Sequence, residues 1–152
     1  MPVMEEQRKT TSELLQLVSF MIDNEEFAVS ILYVQEINRM FQITKVPNAP
    51  GFVDGIVNLR GRVIPVLDLR AKLGMERKEH DKNTRIIVVE VEGKSAGFIV
   101  DAVKEVLRIP ESITEAPPEI VTGINSEFIM SVAKLDDRLI TLLELKKIIS
   151  ES

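Results

Sequence analysis

Few side chains in this sequence are equipped for chemistry, and those few are badly placed to share it. The single histidine, His80, lies in the charged run Arg77–Lys82, with no second histidine and no cysteine anywhere in the chain. A zinc site of nitrogen and sulfur ligands, or a nucleophile activated by histidine, therefore lacks its partners. Asp136 and Asp137 form a carboxylate pair by composition, the sort that serves acid–base work or a divalent ion. Adjacent residues of a hairpin turn diverge, however, and turn formation accounts for both. Neither a Gly-rich phosphate loop nor a Gly-x-Ser-x-Gly elbow occurs, so phosphate transfer and ester hydrolysis have no motif to stand on. With no tryptophan and one tyrosine there is no aromatic platform for bases or sugars. The expectation is a non-enzyme with no metal and no cofactor.

Recognition by contact is what remains, and Glu36 with Arg60 has the best claim to it. Glu36 is placed at the end of a strand and Arg60 at a hairpin tip, where a guanidinium can clamp that carboxylate or one belonging to a partner. The competing reading is an exposed ion pair worth little. Val34, Val103 and Val106 lie near the same strand ends and compete with an ordinary core role.

The elements that must position these residues come from an internal repeat. Val18–Ile37 aligns without a gap on Ile87–Val106 at an offset of 69, both copies closing on Val-x-Glu-[Ile/Val]. Ile43–Pro47 meets Ile113–Pro117 at an offset of 70, and Gly55–Leu73 meets Ser131–Ile149 at 76, so the second copy carries an insertion of about six residues near 118–126, rich in loop formers. The repeats run from about 17 to 74 and from 86 to 150, joined by a charged segment, 75–84, read as a solvated linker. The second copy keeps the acid as Glu105 but has Asp136 where Arg60 stands, so that pairing is not expected to recur and one lobe acquires a distinct site.

Each copy opens with a hairpin. Leu17–Ile22 alternates, with Val18, Phe20 and Ile22 on one face, turns at Asp23–Glu26 and returns through Phe27–Ile31; Ile86–Glu92 and Ala96–Val100 repeat the plan. Tyr33–Phe41 and Ala102–Ile109 read as third strands, although Val34–Ile37 also fits a helical turn. A second hairpin, Ile56–Leu59 and Val63–Leu67, reverses at Arg60-Gly61-Arg62, where glycine supplies the positive φ. Asp68 is the expected N-cap of a short helix ending near Gly74. The second copy follows with Ile129–Leu135, a turn at Asp136-Asp137, Arg138–Leu142 and a closing helix from Leu143 to about Ser150. Five short strands per repeat predict a mainly β fold of two packed five-stranded barrels with short helices, since closure removes exposed edges. Whether the repeats exchange strands is left open by the sequence.

Composition sets the bounds. The chain has 152 residues, 45% apolar and 28% charged, enough for one domain with a real core. No apolar run approaches the roughly 20 residues of a membrane-spanning helix. Residues 1–13 are polar and mixed in charge, and read as a flexible tail ahead of a domain over 14–150. Nineteen basic against 24 acidic residues, a net charge of −5, argue against nucleic acid as a partner. The absence of cysteine fits a reducing compartment, with the cytoplasm as the expected location.

The stretch Phe52–Arg70, with Val34–Ile37, Asp81–Thr84 and Gly97–Asp101, closely resembles the signature of CheW, the chemotaxis coupling protein family, and the resemblance runs from Leu15 to Ile149. It implies two SH3-like five-stranded barrels and an adaptor without catalysis. Such an adaptor joins the cytoplasmic tip of chemoreceptors (methyl-accepting chemotaxis proteins) to the regulatory domain of the histidine kinase CheA, in arrays at the membrane and without insertion into it. By matching position, Val34, Glu36, Gly55, Arg60, Val103 and Val106 would engage receptor helices in a groove between the barrels, with Glu36 and Arg60 as an ion pair. Residues for the kinase contact have no match. An adaptor of a pilus or other non-flagellar chemosensory pathway is the near alternative; a small-barrel enzyme or nucleic-acid binder is the distant one.

Overall fold

The hairpins of the two repeats trade places. In the computed structural model, which describes residues 14–117 and 126–150, the first repeat forms β1 (Leu14–Ile22), β2 (Glu25–Ser30), β3 (Val34–Arg39), β4 (Val53–Leu59) and β5 (Arg62–Asp68), followed by a helical turn α1 (Leu69–Lys72). The second forms β6 (Arg85–Val91), β7 (Lys94–Val100), β8 (Ala102–Pro110), a short β9 (Thr114–Glu115), β10 (Ile129–Leu135) and β11 (Arg138–Leu143), closed by α2 (Leu145–Ser150). One sheet has the order β8-β1-β2-β11-β10-β9 and the other β3-β6-β7-β5-β4. Each sheet therefore takes its opening hairpin from one repeat and its remaining strands from the other. The two joints that knit the exchange are parallel pairings, β2 with β11 and β7 with β5.

The fold is mainly β, two small barrels with short helices, as the sequence predicts. The readings of residues 1–13 and of the insertion fall largely or wholly outside the described residues. Each sheet wraps its own small core: Leu17, Ala28, Leu107, Ala133 and Ile140 in the first, and Val57, Ile64, Val66, Ile86 and Val88 in the second. The largest cluster lies on the opposite faces of the same strands, between the sheets. It gathers Val18, Phe20, Ile22 and Phe27 from the first sheet and Ile87, Val89, Val91 and Phe98 from the second. This explains why β1 and β6 are apolar on both faces, the pattern of a strand covered on both sides. Leu69 and Leu73 around α1, and Leu145, Ile148 and Ile149 of α2, are buried in that seam.

The repeat arithmetic persists into side-chain contacts. Arg70 of α1 reaches across to Asp23 in the β1–β2 turn, its Nη1 donating at 2.9 Å, and Lys146 of α2, 76 residues on, reaches Glu92 in the β6–β7 turn at 3.1 Å. Asp23 and Glu92 both hold positive φ, 55° and 51°. Phe52 and Phe128, another pair at the same offset, flank the buried Lys72, whose Nζ lies 3.8 and 5.4 Å from the two ring centroids. Asp68 caps α1 by accepting from the Ala71 amide. The charged segment after α1 is exposed from Glu76 to Asn83, and within it Arg77 donates to Asp54 at 2.6 Å and to Asp68 at 3.3 Å.

Candidate functional site

Backbone register decides which of the sequence-predicted residues can act together. β3 is an edge strand paired to β6, with Val34 opposite Val89 and Glu36 opposite Val88, and a bulge between them. Val89 belongs to the seam and Val88 to the barrel interior. The bulge thus turns Val34 toward the seam and Glu36 toward the inside of its own barrel, on opposite faces despite a spacing of two. The equivalent edge strand β8 repeats the device. Val103 stands opposite Phe20 and Glu105 opposite Ser19, again across a bulge. Val106, opposite Val18, returns to the seam face.

Two groups result. Val34 and Val103 pack from equivalent positions on two edge strands against the same inter-sheet cluster. Val106 is 55% exposed at its margin, as is its repeat equivalent Ile37 at 39%. The second group is polar. Arg60 at the β4–β5 turn, itself at φ 52°, places Nη1 2.6 Å from Glu36, tying edge strand β3 to the hairpin at the other edge of the sheet. Glu36 lies inside a strand rather than at its end. The Asn38 amide donates to it at 2.6 Å and, with Arg60, outweighs partial burial to hold the carboxyl below the ordinary range. Gly55, opposite Val66, is buried in β4 beneath Thr44.

The expectation that the second copy lacks an acid–arginine pair is corrected. Glu105 is met by Arg138, Nη2 to Oε2 at 3.2 Å, an arginine two residues beyond Asp136 and equivalent to Arg62. Arg138 also donates through Nε to the buried Glu26 at 3.0 Å, and Glu26 further accepts from the Ser19 hydroxyl and from Lys104. Burial pushes the Glu26 carboxyl up, but Arg138, Ser19 and Lys104 together win and leave it below its ordinary value of 4.5. Sequence reading missed this network, although adding 76 to Arg62 finds its central residue.

Because the folded protein holds Glu26 at a depressed pKa, its contribution is complete above the unfolded value and is lost as the pH falls through the folded one. Glu26→Gln should cost about 2 kcal/mol at pH 7, since it leaves Arg138 partly uncompensated in a half-open site. Urea titrations at pH 7 and below 4 should show the variant losing less stability on acidification than the parent. Parallel acid slopes would remove Glu26 from the account.

Among the described residues no cluster of three His, Cys, Asp or Glu side chains is arranged to hold a metal ion. Asp136 occupies the turn at φ 55°, a conformational role. The arrangement offers an apolar margin along the seam and charged straps that fix the strands bordering it, which is the equipment of a binding surface.

The comparisons agree with this geometry. The sequence model of the CheW-like domain matches residues 16–152. The chain is 36% identical over 137 residues to the probable chemotaxis protein CheW of Rhizobium etli, covering 90% of this chain and 88% of that protein. It is 31% identical to the protein PilI of Pseudomonas aeruginosa, over 70% of this chain and 61% of that one. The crystal structure of the scaffolding protein TtCheW from Thermoanaerobacter tengcongensis superposes with a TM-score of 0.80 at 42% identity, covering 86% of this chain and 84% of that one. Two exchanged barrels, a shared apolar seam and this likeness over nearly the whole length place the chain in the CheW-like family of chemotaxis adaptor and scaffold proteins.

Proposed function

We propose that the chain is a non-catalytic adaptor that couples the cytoplasmic tips of chemoreceptors to the regulatory domain of the histidine kinase CheA, working in the cytoplasm and recruited to receptor arrays at the membrane. The observation that carries this reading is the pair of equivalent edge strands presenting Val34, Val103 and Val106 at the margin of one apolar seam. An amphipathic helical hairpin buries its apolar face against such a margin, the helix-in-groove mode. Glu36 and Arg60 set the position of β3 beside it, and the more exposed Arg60 guanidinium also faces outward to a polar group of the helix. Likeness to the protein PilI covers less of both chains than likeness to the CheW proteins, which favours the chemotaxis reading over a pilus-pathway adaptor.

The test is capture of a receptor-tip fragment and of the CheA regulatory domain by the purified protein. Val106→Glu puts a charge at a site already open to solvent. It should reduce receptor affinity at least roughly tenfold, the effect of a desolvated anchor, with an unchanged melting temperature and unchanged kinase binding. Arg60→Ala should weaken receptor capture to a smaller extent with folding intact, an exposed pair adding little to stability. Receptor affinity unmoved by Val106→Glu would reject the seam as the receptor site.

A further inference from the structure

The two edge strands carry equivalent acids, yet they hold them differently. Glu36 and Asn38 stand two apart in β3, opposite Val88 and Ile86, which belong to the same barrel core, so the two share one face of the strand. The Asn38 amide donates from Nδ2 to Glu36 Oε1 at 2.6 Å, and the other oxygen, Oε2, meets Arg60 Nη1 at 2.6 Å. With one oxygen tied to its own strand, the carboxylate is left with one orientation toward the arginine.

Arg60 needs that support. Its side chain is 83% exposed, and a pair so open to water is ordinarily loose and worth little. The backbone beneath it is already fixed, because the Gly61 amide donates to Asn58 Oδ1 at 3.1 Å across the β4–β5 turn. Holding Glu36 still fixes the far end of the same side chain and leaves the rest of the guanidinium fork to a partner. The second copy shows the acid without this neighbour. Leu107 stands 69 residues after Asn38 and is buried, opposite Leu17. Glu105 is 45% exposed where Glu36 is 19%, and its arginine, Arg138, is shared with Glu26.

Given the proposed capture of receptor helices, on which this rests, we infer that Asn38 is a positioning residue for that capture, holding the Glu36 carboxylate so that Arg60 meets the docked helix in a fixed orientation. Asn38→Leu, which copies the second repeat, should lower affinity for a receptor-tip fragment about threefold, with the melting temperature and binding of the CheA regulatory domain unchanged. Asn38→Val is a second loss variant with the same expected outcome. In carbon NMR titrations of either variant the Glu36 carboxyl should ionise at a higher pH than in the parent, because the donor that favoured its charged form is gone. Asn38→Gln, which keeps an amide within reach, should recover both properties. Arg60→Ala placed on Asn38→Leu should weaken capture hardly more than Arg60→Ala alone, since both changes break one unit. Additive losses, capture weakened by Arg60→Ala but not by the Asn38 variants, or a Glu36 titration that stays put would overturn the role of Asn38 and leave the receptor site standing. Capture indifferent to Arg60→Ala and Val106→Glu alike would reject the receptor site itself, and the role of Asn38 with it.

Discussion

Gly55→Ala is expected to lose about 3 kcal/mol or more of stability, because a Cβ at this position has nowhere to go. Built on the backbone, it would collide with the carbonyl oxygen of Thr44 and stand 2.8 Å from Ile43 Cγ2. Backbone cannot step aside as a flexible side chain does. Thr44 is held there by two hydrogen bonds with Ile56, at 2.9 and 2.8 Å, so the loop and the strand must separate together. Gly55 also has a φ of 154°, outside the range that side chains favour. For a domain of this length the loss corresponds to a fall in melting temperature of roughly 6–12 °C. An unchanged melting temperature would show that the Thr44 loop yields freely. Gly55→Asp, which the family resemblance would offer as a groove variant, adds a charge to the same collision. Loss of receptor capture by it would therefore report a damaged barrel, and the seam is better probed at Val106.

The second large effect belongs to Arg70. Its side chain, 9% exposed, donates to Asp23 at 2.9 and 3.1 Å, to Asp101 at 2.8 Å and to the Glu76 carbonyl at 2.6 Å. It fastens the β1–β2 turn of one sheet to the helix that closes the other, and it holds the Asp23 carboxyl below the ordinary range. Arg70→Met keeps the aliphatic stem but leaves two carboxylates facing each other, at a cost of about 3–5 kcal/mol. Lys146 makes the corresponding reach to Glu92 at 3.1 Å with both side chains more than half exposed, and Lys146→Met should leave the denaturation curve where it was. Equal losses in the two variants would mean that burial does not set the value of these clamps.

Much of the fold was legible in the sequence because the repeat is written in hydrophobic spacing and turn residues. The hairpins, the Asp68 cap, the Asp136-Asp137 turn and the apolar face of α2 all follow from local rules, and local rules act within a few residues. Pairing between repeats is not local. Leu17–Ile22 and Ile86–Val91 are apolar on both faces, so either partner set satisfies the pattern. That doubled apolarity signals the seam but is silent about which strands cross it. The candidate site divides along the same line. Glu36 with Arg60 could be paired from chemistry alone, whereas the bulges that turn Val34 and Glu36 to opposite faces each depend on a one-residue slip that alternation cannot reveal. The pairing of Glu105 with Arg138 was hidden by strict positional matching, since the arginine enters two residues later than Arg60 does.

The traded hairpins also make each half incomplete without the other. A polypeptide holding a single copy of the repeat could complete neither sheet by itself, because its opening hairpin and its later strands belong to different barrels. Two such chains, each lending its hairpin to the other, form a closed two-fold dimer by domain swapping. The present molecule is that arrangement made covalent through residues 75–84. Because both halves sit in one chain, their surfaces need not match, and the turn that holds Arg60 in one holds Asp136 in the other.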